Sequence, residues 1–338
     1  MPNNDFAARG PHPVGVQTLE ILSPNDPLTK PGDAPRRLPC EIWYPASTLE
    51  SSSADCGVNA TLQTEASHPL GLPHRAHLDL PPLETPGPLI GFSHGNSGLR
   101  QQSTFLMTHL ASWGFVVIAP DHVGNTFSEM LALDSEDARR EAHLRARAQR
   151  PHDLAAALSR MTDPASGESK LLTVDPCAIG VMGHSYGGWT ALKLAGLERR
   201  VRSICCLAPA SEPFVGRRAF EAGELPLRSD VEALVIAGED DVLVDLETSI
   251  RPLHARLGDR AQLEVLRGAD HFHFCDGIEL LHKMHENTPR PNQPRATRPL
   301  AELRSEGETH EWLNERVTRF FRASLAIRQP NGNEGAAH

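Results

Sequence analysis

The stretch Ala178-Ile179-Gly180-Val181-Met182-Gly183-His184-Ser185-Tyr186-Gly187-Gly188-Trp189 decides the fold. Its first five residues form a short apolar run of the kind that makes a buried strand, and Tyr186 to Leu197 has helical composition and spacing. Gly183-His184-Ser185-Tyr186-Gly187 between them is a GxSxG. A strand that turns sharply into a helix forces the serine into a cramped backbone conformation, and Gly183 and Gly187 let the chain pass itself closely there. Ser185 then stands at a helix N-terminus, where peptide dipoles favour developing negative charge. An ordinary glycine-rich turn would not need a strand before it and a helix after it.

The same alternation extends in both directions. Upstream, Pro88 to Phe92 reads as a strand, Arg100 to Trp113 as a helix and Phe115 to Pro120 as a strand, together a βαβ unit. Downstream come strands at Val201 to Leu207, Val231 to Ala237 and Gln262 to Leu266, with a helix at about Leu246 to Leu257. Ser305-Glu306-Gly307-Glu308 resembles a capping box ahead of a closing helix. Strands joined through helices need crossover connections, so the expected fold is α/β with a mostly parallel central sheet and helices on both faces. Two earlier segments, Val14 to Ile21 and Leu38 to Tyr44, alternate apolar and polar residues and predict half-buried antiparallel strands at the N-terminal edge.

No composition break divides the 338 residues, and residues 1–338 read as one domain with its core at about 12–328. Surface excursions are expected at about 47–88, 127–150 and 284–308. The first has one short strand near Arg75 to Leu80 and no visible chemistry. The second has helix-forming composition, and part of it could form a lid. Its arginines, Arg139, Arg140, Arg145, Arg147 and Arg150, are balanced by nearby acids, which predicts a solvated helix with intrahelical ion pairs.

Composition excludes several classes. With 33 basic and 43 acidic residues the net charge is -10, which repels phosphate backbones, so no nucleic-acid partner is expected. No apolar run approaches the roughly 20 residues that span a bilayer. The N-terminus lacks a basic start and an apolar stretch, so a cytoplasmic location is expected. The six cysteines include no CxxC pair, and burial as small hydrophobes is the expected state.

A serine hydroxyl needs a base to take its proton and a carboxylate to orient that base. Both are expected after later strands, acid before histidine. Gly238-Glu239-Asp240-Asp241 follows one such strand and leaves three carboxylates open. Asp270-His271-Phe272-His273 follows the next, and His271 occupies the position of the base, with His273 a competitor. The cluster of His271, His273 and Cys275, with Asp270 beside it and His282 and His285 as the nearby complement, also invites a metal reading, but it lacks the paired spacing of a structural zinc site, and no metal or other cofactor is expected. Acyl transfer further requires two N–H donors for the developing oxyanion. The backbone of Tyr186 is one, and the loop Ser93-His94-Gly95-Asn96-Ser97-Gly98 offers the second at Asn96.

These residues resemble the α/β-hydrolases, and more narrowly the dienelactone-hydrolase-like esterases and platelet-activating-factor acetylhydrolases. The resemblance is carried by Glu41-Ile42-Trp43-Tyr44-Pro45, Gly91-Phe92-Ser93-His94-Gly95-Asn96, Arg150-Pro151-His152-Asp153-Leu154, Gly183-His184-Ser185-Tyr186-Gly187-Gly188 and Ala269-Asp270-His271-Phe272. It implies Asp241 as the acid, a serine carboxylic ester hydrolase with Ser185 as nucleophile, and a small-molecule ester, short in its acyl part, as partner. The same residues would also serve a lactonase, a thioesterase, or a polyester or phospholipid-acetyl hydrolase, and a non-catalytic binding protein is the alternative from another class. The segments 47–88 and 284–308 match no family pattern, and such segments often shape pockets.

Overall fold

The computed structural model describes residues 5–47, 65–78, 80–163, 174–287 and 293–325. Strands β1 (Val14–Ser23) and β2 (Arg36–Pro45) pair antiparallel from Val14 opposite Pro45 to Ser23 opposite Arg36. A two-residue strand β3 (His77–Leu78) adds to β1. β4 (Gly87–Ser93) lies between β5 (Val116–Pro120) and β6 (Val174–His184), parallel to both, and β5 closes antiparallel onto β2. β7 (Val201–Leu207), β8 (Glu232–Gly238) and β9 (Ala261–Leu266) continue in parallel. The order among the described residues is β3-β1-β2-β5-β4-β6-β7-β8-β9. This is the α/β, mostly parallel sheet with antiparallel N-terminal strands that the apolar pattern predicts.

Alternate residues of each strand feed two cores, one per face. In β5, Val116 and Ile118 face one core and Val117 and Ala119 the other; β8 divides Val235 and Ala237 from Leu234 and Ile236 in the same way. Helices α1 (Thr104–Ser112) and α8 (Glu306–Ser324) cover the second face through Leu106, Leu110, Leu313, Val317 and Phe321. Helices α3 (Glu136–Thr162) and α4 (Tyr186–Leu197) cover the first through Leu154, Leu158, Trp189 and Leu192. Ser305 caps α8, and Glu308 reaches back to it, as the capping box predicts. No helix among the described residues is long and apolar enough to cross a membrane.

Several elements differ from their sequence expectation. The helix expected from Arg100 starts only at Thr104, because the Arg100 amide is held by Asp121 and residues before 104 form turns. The segment after Phe127 splits into α2 (Phe127–Leu131), capped by Thr126 and Glu129, and α3, capped by Ser135. A short α5 (Glu212–Val215) follows β7. The helix after β8 begins with a π turn, Leu246–Ile250, and becomes α-helical as α6 (Arg251–Leu257). Helix α7 (Ile278–Asn287) occupies the start of the segment expected to be an excursion. Cys40, Cys205, Cys206 and Cys275 are buried thiols, Cys177 is an exposed one, and Cys56 lies outside the described residues.

Candidate active site

The turn between β6 and α4 is tightly constrained. Ser185 has φ +54° and ψ -117°, in a region that residues with a side chain rarely enter. A Cβ on Gly187 would lie 1.8 Å from the Ser93 carbonyl oxygen, and one on Gly183 would lie 2.3 Å from that of Gly187. Only glycine lets these three backbones cross. The strained turn is tied to β7 by the Ser185 N–H, which donates to Leu207 O at 2.8 Å, and to the loop after β7 by the Ala210 N–H, which donates to Ser185 O at 2.9 Å.

The loops after β8 and β9 bring an acid to a histidine. His271 Nδ1–H donates to Asp241 Oδ2 at 2.6 Å, and Asp241 Oδ1 accepts from the amides of Leu243 and Val244 at 2.7 and 2.8 Å. With Nδ1 so engaged, Nε2 is the nitrogen left for chemistry. Asp240 instead pairs with Arg298, and Glu239 is exposed. His273 turns to Asp270 and to the Arg304 carbonyl. Ser185, His271 and Asn96 line one cavity of about 320 Å³.

Beneath this cavity His184 acts as a spacer. Its Nε2–H donates to the His271 carbonyl at 2.9 Å, and its Nδ1 accepts from Gln102 Nε2 at 2.7 Å. That pattern needs a neutral ring, and burial first, then the neighbouring His271, hold its pKa well below the usual histidine value. Gln102 Oε1 in turn accepts the Gly95 N–H at 2.7 Å. One glutamine thereby links the histidine loop to the loop after β4.

That loop has a second support. Asn96 Oδ1 accepts from Asn125 Nδ2 at 3.0 Å, and Asn125 Oδ1 accepts from Arg150 Nη1 at 2.7 Å. Arg150 is fully buried; it also donates to the His94 carbonyl and Thr190 Oγ1, and its guanidinium lies 4.7 Å from the Tyr186 ring centroid. Burial lowers its pKa to about 10. His122 completes the network between Ser93 Oγ and Asp153, whose carboxyl burial raises to about 6 against the pull of Arg36. Tyr186, the first residue of α4, presents one of the backbone amides that a helix start leaves without an intrahelical partner.

A protein-family profile described as PETase: PET hydrolase-like matches residues 90–285, more than half of the chain. The chain belongs to the PET hydrolase-like family. Among curated relatives, Lipase 1 of Moraxella sp. (strain TA144) is 32% identical over 168 residues, 49% of this chain and 41% of that protein. Cutinase 1 of Thermobifida cellulosilytica is 28% identical over 186 residues, 54% of this chain and 60% of its own. Cutinase est2 of Thermobifida alba is 30% identical over 186 residues, 54% and 52% respectively. This PET hydrolase-like chain thus spans about half the length of the curated relatives it matches. A solved structure of a ferulic acid esterase from Streptomyces cinnamoneus superposes with TM-score 0.65 and 23% identity, covering 98% of this chain and 96% of that one. The likeness shows a shared fold.

Two expectations need correction in this PET hydrolase-like structure, the lack of chemistry in 47–88 and the solvated Arg150, while the 284–308 segment does help to shape the pocket. The 47–88 excursion does carry part of the site: His68 and Leu70 line the cavity, and His68 is buried against Asp276 at 3.2 Å. The 284–308 segment does too, through Met284 on the cavity wall and through Arg298 on Asp240. Arg150 is no solvated helix charge; its burial follows from the acceptors that surround it, and its place in Arg150-Pro151-His152-Asp153 was the one sequence signal. Gln102 carried no signal at all. For the metal reading, the Nδ1 atoms of His273 and His282 both serve Asp270 and that of His271 serves Asp241. Among the described residues no group of three His, Cys, Asp or Glu has a metal-holding arrangement.

Proposed function

We propose that the protein is a serine carboxylic ester hydrolase working through an acyl-enzyme. Ser185 Oγ attacks the ester carbonyl while His271 Nε2 takes its proton, and Asp241 holds the imidazole in the required tautomer. The oxyanion is received by the backbone amides of Asn96 and Tyr186. Collapse of the tetrahedral intermediate expels the alcohol, which leaves with the proton from His271. Water then repeats the sequence on the acyl-enzyme and frees the acid, and no step calls for a cofactor.

The observation that carries this reading is the His271–Asp241 hydrogen bond at 2.6 Å, in the same cavity as a serine with φ +54°. A fluorophosphonate should label Ser185 and abolish hydrolysis of short p-nitrophenyl esters. Activity that survives with Ser185 unlabelled would overturn the proposal. The narrower kinship with dienelactone-hydrolase-like esterases and a cytoplasmic location belong to the same proposal, the latter tested by cell fractionation.

One observation favours polyester as a second substrate class. Four large apolar side chains on the cavity wall, Leu70, Phe127, Leu280 and Met284, are each exposed by 43 to 49%. Such a rim suits contact with an apolar solid, and several relatives are named cutinase. Release of soluble acid from a polyester film tests it, and an inert film beside rapid turnover of soluble esters would exclude it.

A further inference from the structure

Helix α7 is oriented against the usual rule. A helix docked by hydrophobicity buries its apolar stripe. Here Ile278, His282 and His285 are buried, whereas Leu280 and Met284 are exposed and, with Leu281, line the cavity. Two of the three inward side chains are imidazoles. The apolar residues therefore serve the cavity, and the helix needs a polar attachment to the body of the protein.

That attachment is Asp270. Its Oδ2 accepts from His282 Nδ1–H, and its Oδ1 accepts from His273 Nδ1 at 2.6 Å and from the Phe272 amide at 2.9 Å. The His282 and Asp270 side chains are 1% and 3% exposed. Asp270 immediately precedes His271. One carboxylate thus clamps α7 with one oxygen and the turn bearing His271 with the other, so the separation of apolar wall and imidazole is set at this residue. Charge-assisted hydrogen bonds away from water hold geometry firmly.

We propose that α7 is the wall that receives the aliphatic chain of the ester and that His282, acting through Asp270, is the positioning residue that sets this wall relative to His271. This rests on the ester-hydrolase reading above. An aliphatic chain laid along Leu280, Leu281 and Met284 would cover apolar surface that is otherwise left to water, and the unbranched methionine adapts to chains of different length.

The test compares kcat and KM for p-nitrophenyl acetate and p-nitrophenyl octanoate. His282→Leu should lower the octanoate-to-acetate ratio of kcat/KM by about tenfold, mainly through KM for octanoate. His282→Asn, whose amide can donate from the position of the lost Nδ1, should restore the ratio to within about twofold of the parent. Met284→Ala, at an exposed position that folding tolerates, should lower the ratio by about fivefold. Equal losses on both esters, with Asn as poor as Leu, would overturn the proposal, as would an unchanged ratio in Met284→Ala. If Ser185 resists the phosphonate and no ester is hydrolysed, the ester-hydrolase reading falls and takes this one with it. A labelled, active enzyme with an unchanged ratio overturns the wall alone.

Discussion

The Nδ1 atom of His271 stands 2.6 Å from Oδ2 of Asp241, although 30 residues separate the two along the chain. Asp240, one position earlier, has both its oxygens 3.1 Å from Arg298 Nη1 instead. Two adjacent carboxylates thus have different partners, and substitutions should tell them apart. Asp241→Asn keeps the shape but loses the acceptor that fixes the tautomer, and should lower kcat on p-nitrophenyl acetate by roughly 10³- to 10⁴-fold. Asp240→Asn should change kcat by less than about threefold, since it disturbs a partly exposed ion pair. Steady-state kinetics on the two variants, side by side, decide the matter.

Two glycines of α4 should respond in opposite ways to alanine. At Gly187 the added carbon would meet Ser93 O at 1.8 Å, so Gly187→Ala must displace the strained turn, and esterase activity should disappear with a large fall in Tm. Gly196 has nothing within 4 Å of its added carbon and lies in the last turn of the same helix. Gly196→Ala should stabilise the protein by about 0.5 to 1 kcal/mol with activity retained, as read by thermal unfolding.

Arg150 supports Asn96 through Asn125 and the Asn96 loop through the His94 carbonyl, so its removal should reach catalysis. A lysine carries the charge but cannot fork to Asn125 Oδ1, the His94 carbonyl and Thr190 at once. Arg150→Lys should cost about 2 to 4 kcal/mol in denaturant unfolding. Drift of the Asn96 loop should lower kcat by about tenfold with a smaller change in KM. An unaltered kcat in a destabilised variant would separate the network from the oxyanion site.

Acid stability should depend on Asp270. Burial works to raise its pKa, but the hydrogen bond and charge of His273, with the hydrogen bonds from His282 and the Phe272 amide, outweigh burial and hold it at about 2, below the usual aspartate value of 3.8. A depressed carboxyl pKa stabilises the fold at pH above the unfolded value, and that contribution fades as pH falls from about 4 to 2. Its size at pH 7 is about 2 kcal/mol. Urea unfolding of Asp270→Asn should show that loss at neutral pH and a flatter dependence below pH 4. A parallel pH profile at reduced stability would contradict the assignment.

Much of the fold was legible because apolar periodicity is a local property. β7 and α4 occupy the residues that their patterns mark, and β6 ends at the GxSxG where the serine must turn. Ser185 and His271 could be singled out as candidates because each follows a strand of a parallel sheet, and the chain order of such sites is regular. In the turn after β8 composition does not separate Glu239, Asp240 and Asp241, since three consecutive carboxylates differ only in direction, and the family resemblance alone singles out Asp241. α7 escaped notice because its inward face is built from imidazoles, which no hydrophobic pattern marks.

Local sequence thus determined the strands, the elbow and the order of the reactive groups, because each depends on residues within a few positions of one another. Tertiary structure alone decided why Arg150 is buried and which side chains wall the cavity, and it set Asp241, the acid that the family resemblance implies, against His271. Those outcomes depend on hydrogen-bond directions between segments far apart in the chain, such as His68 with Asp276 and Asn96 with Asn125. A hydrogen bond is satisfied or lost over a fraction of an ångström, and no spacing along a chain encodes distance that finely.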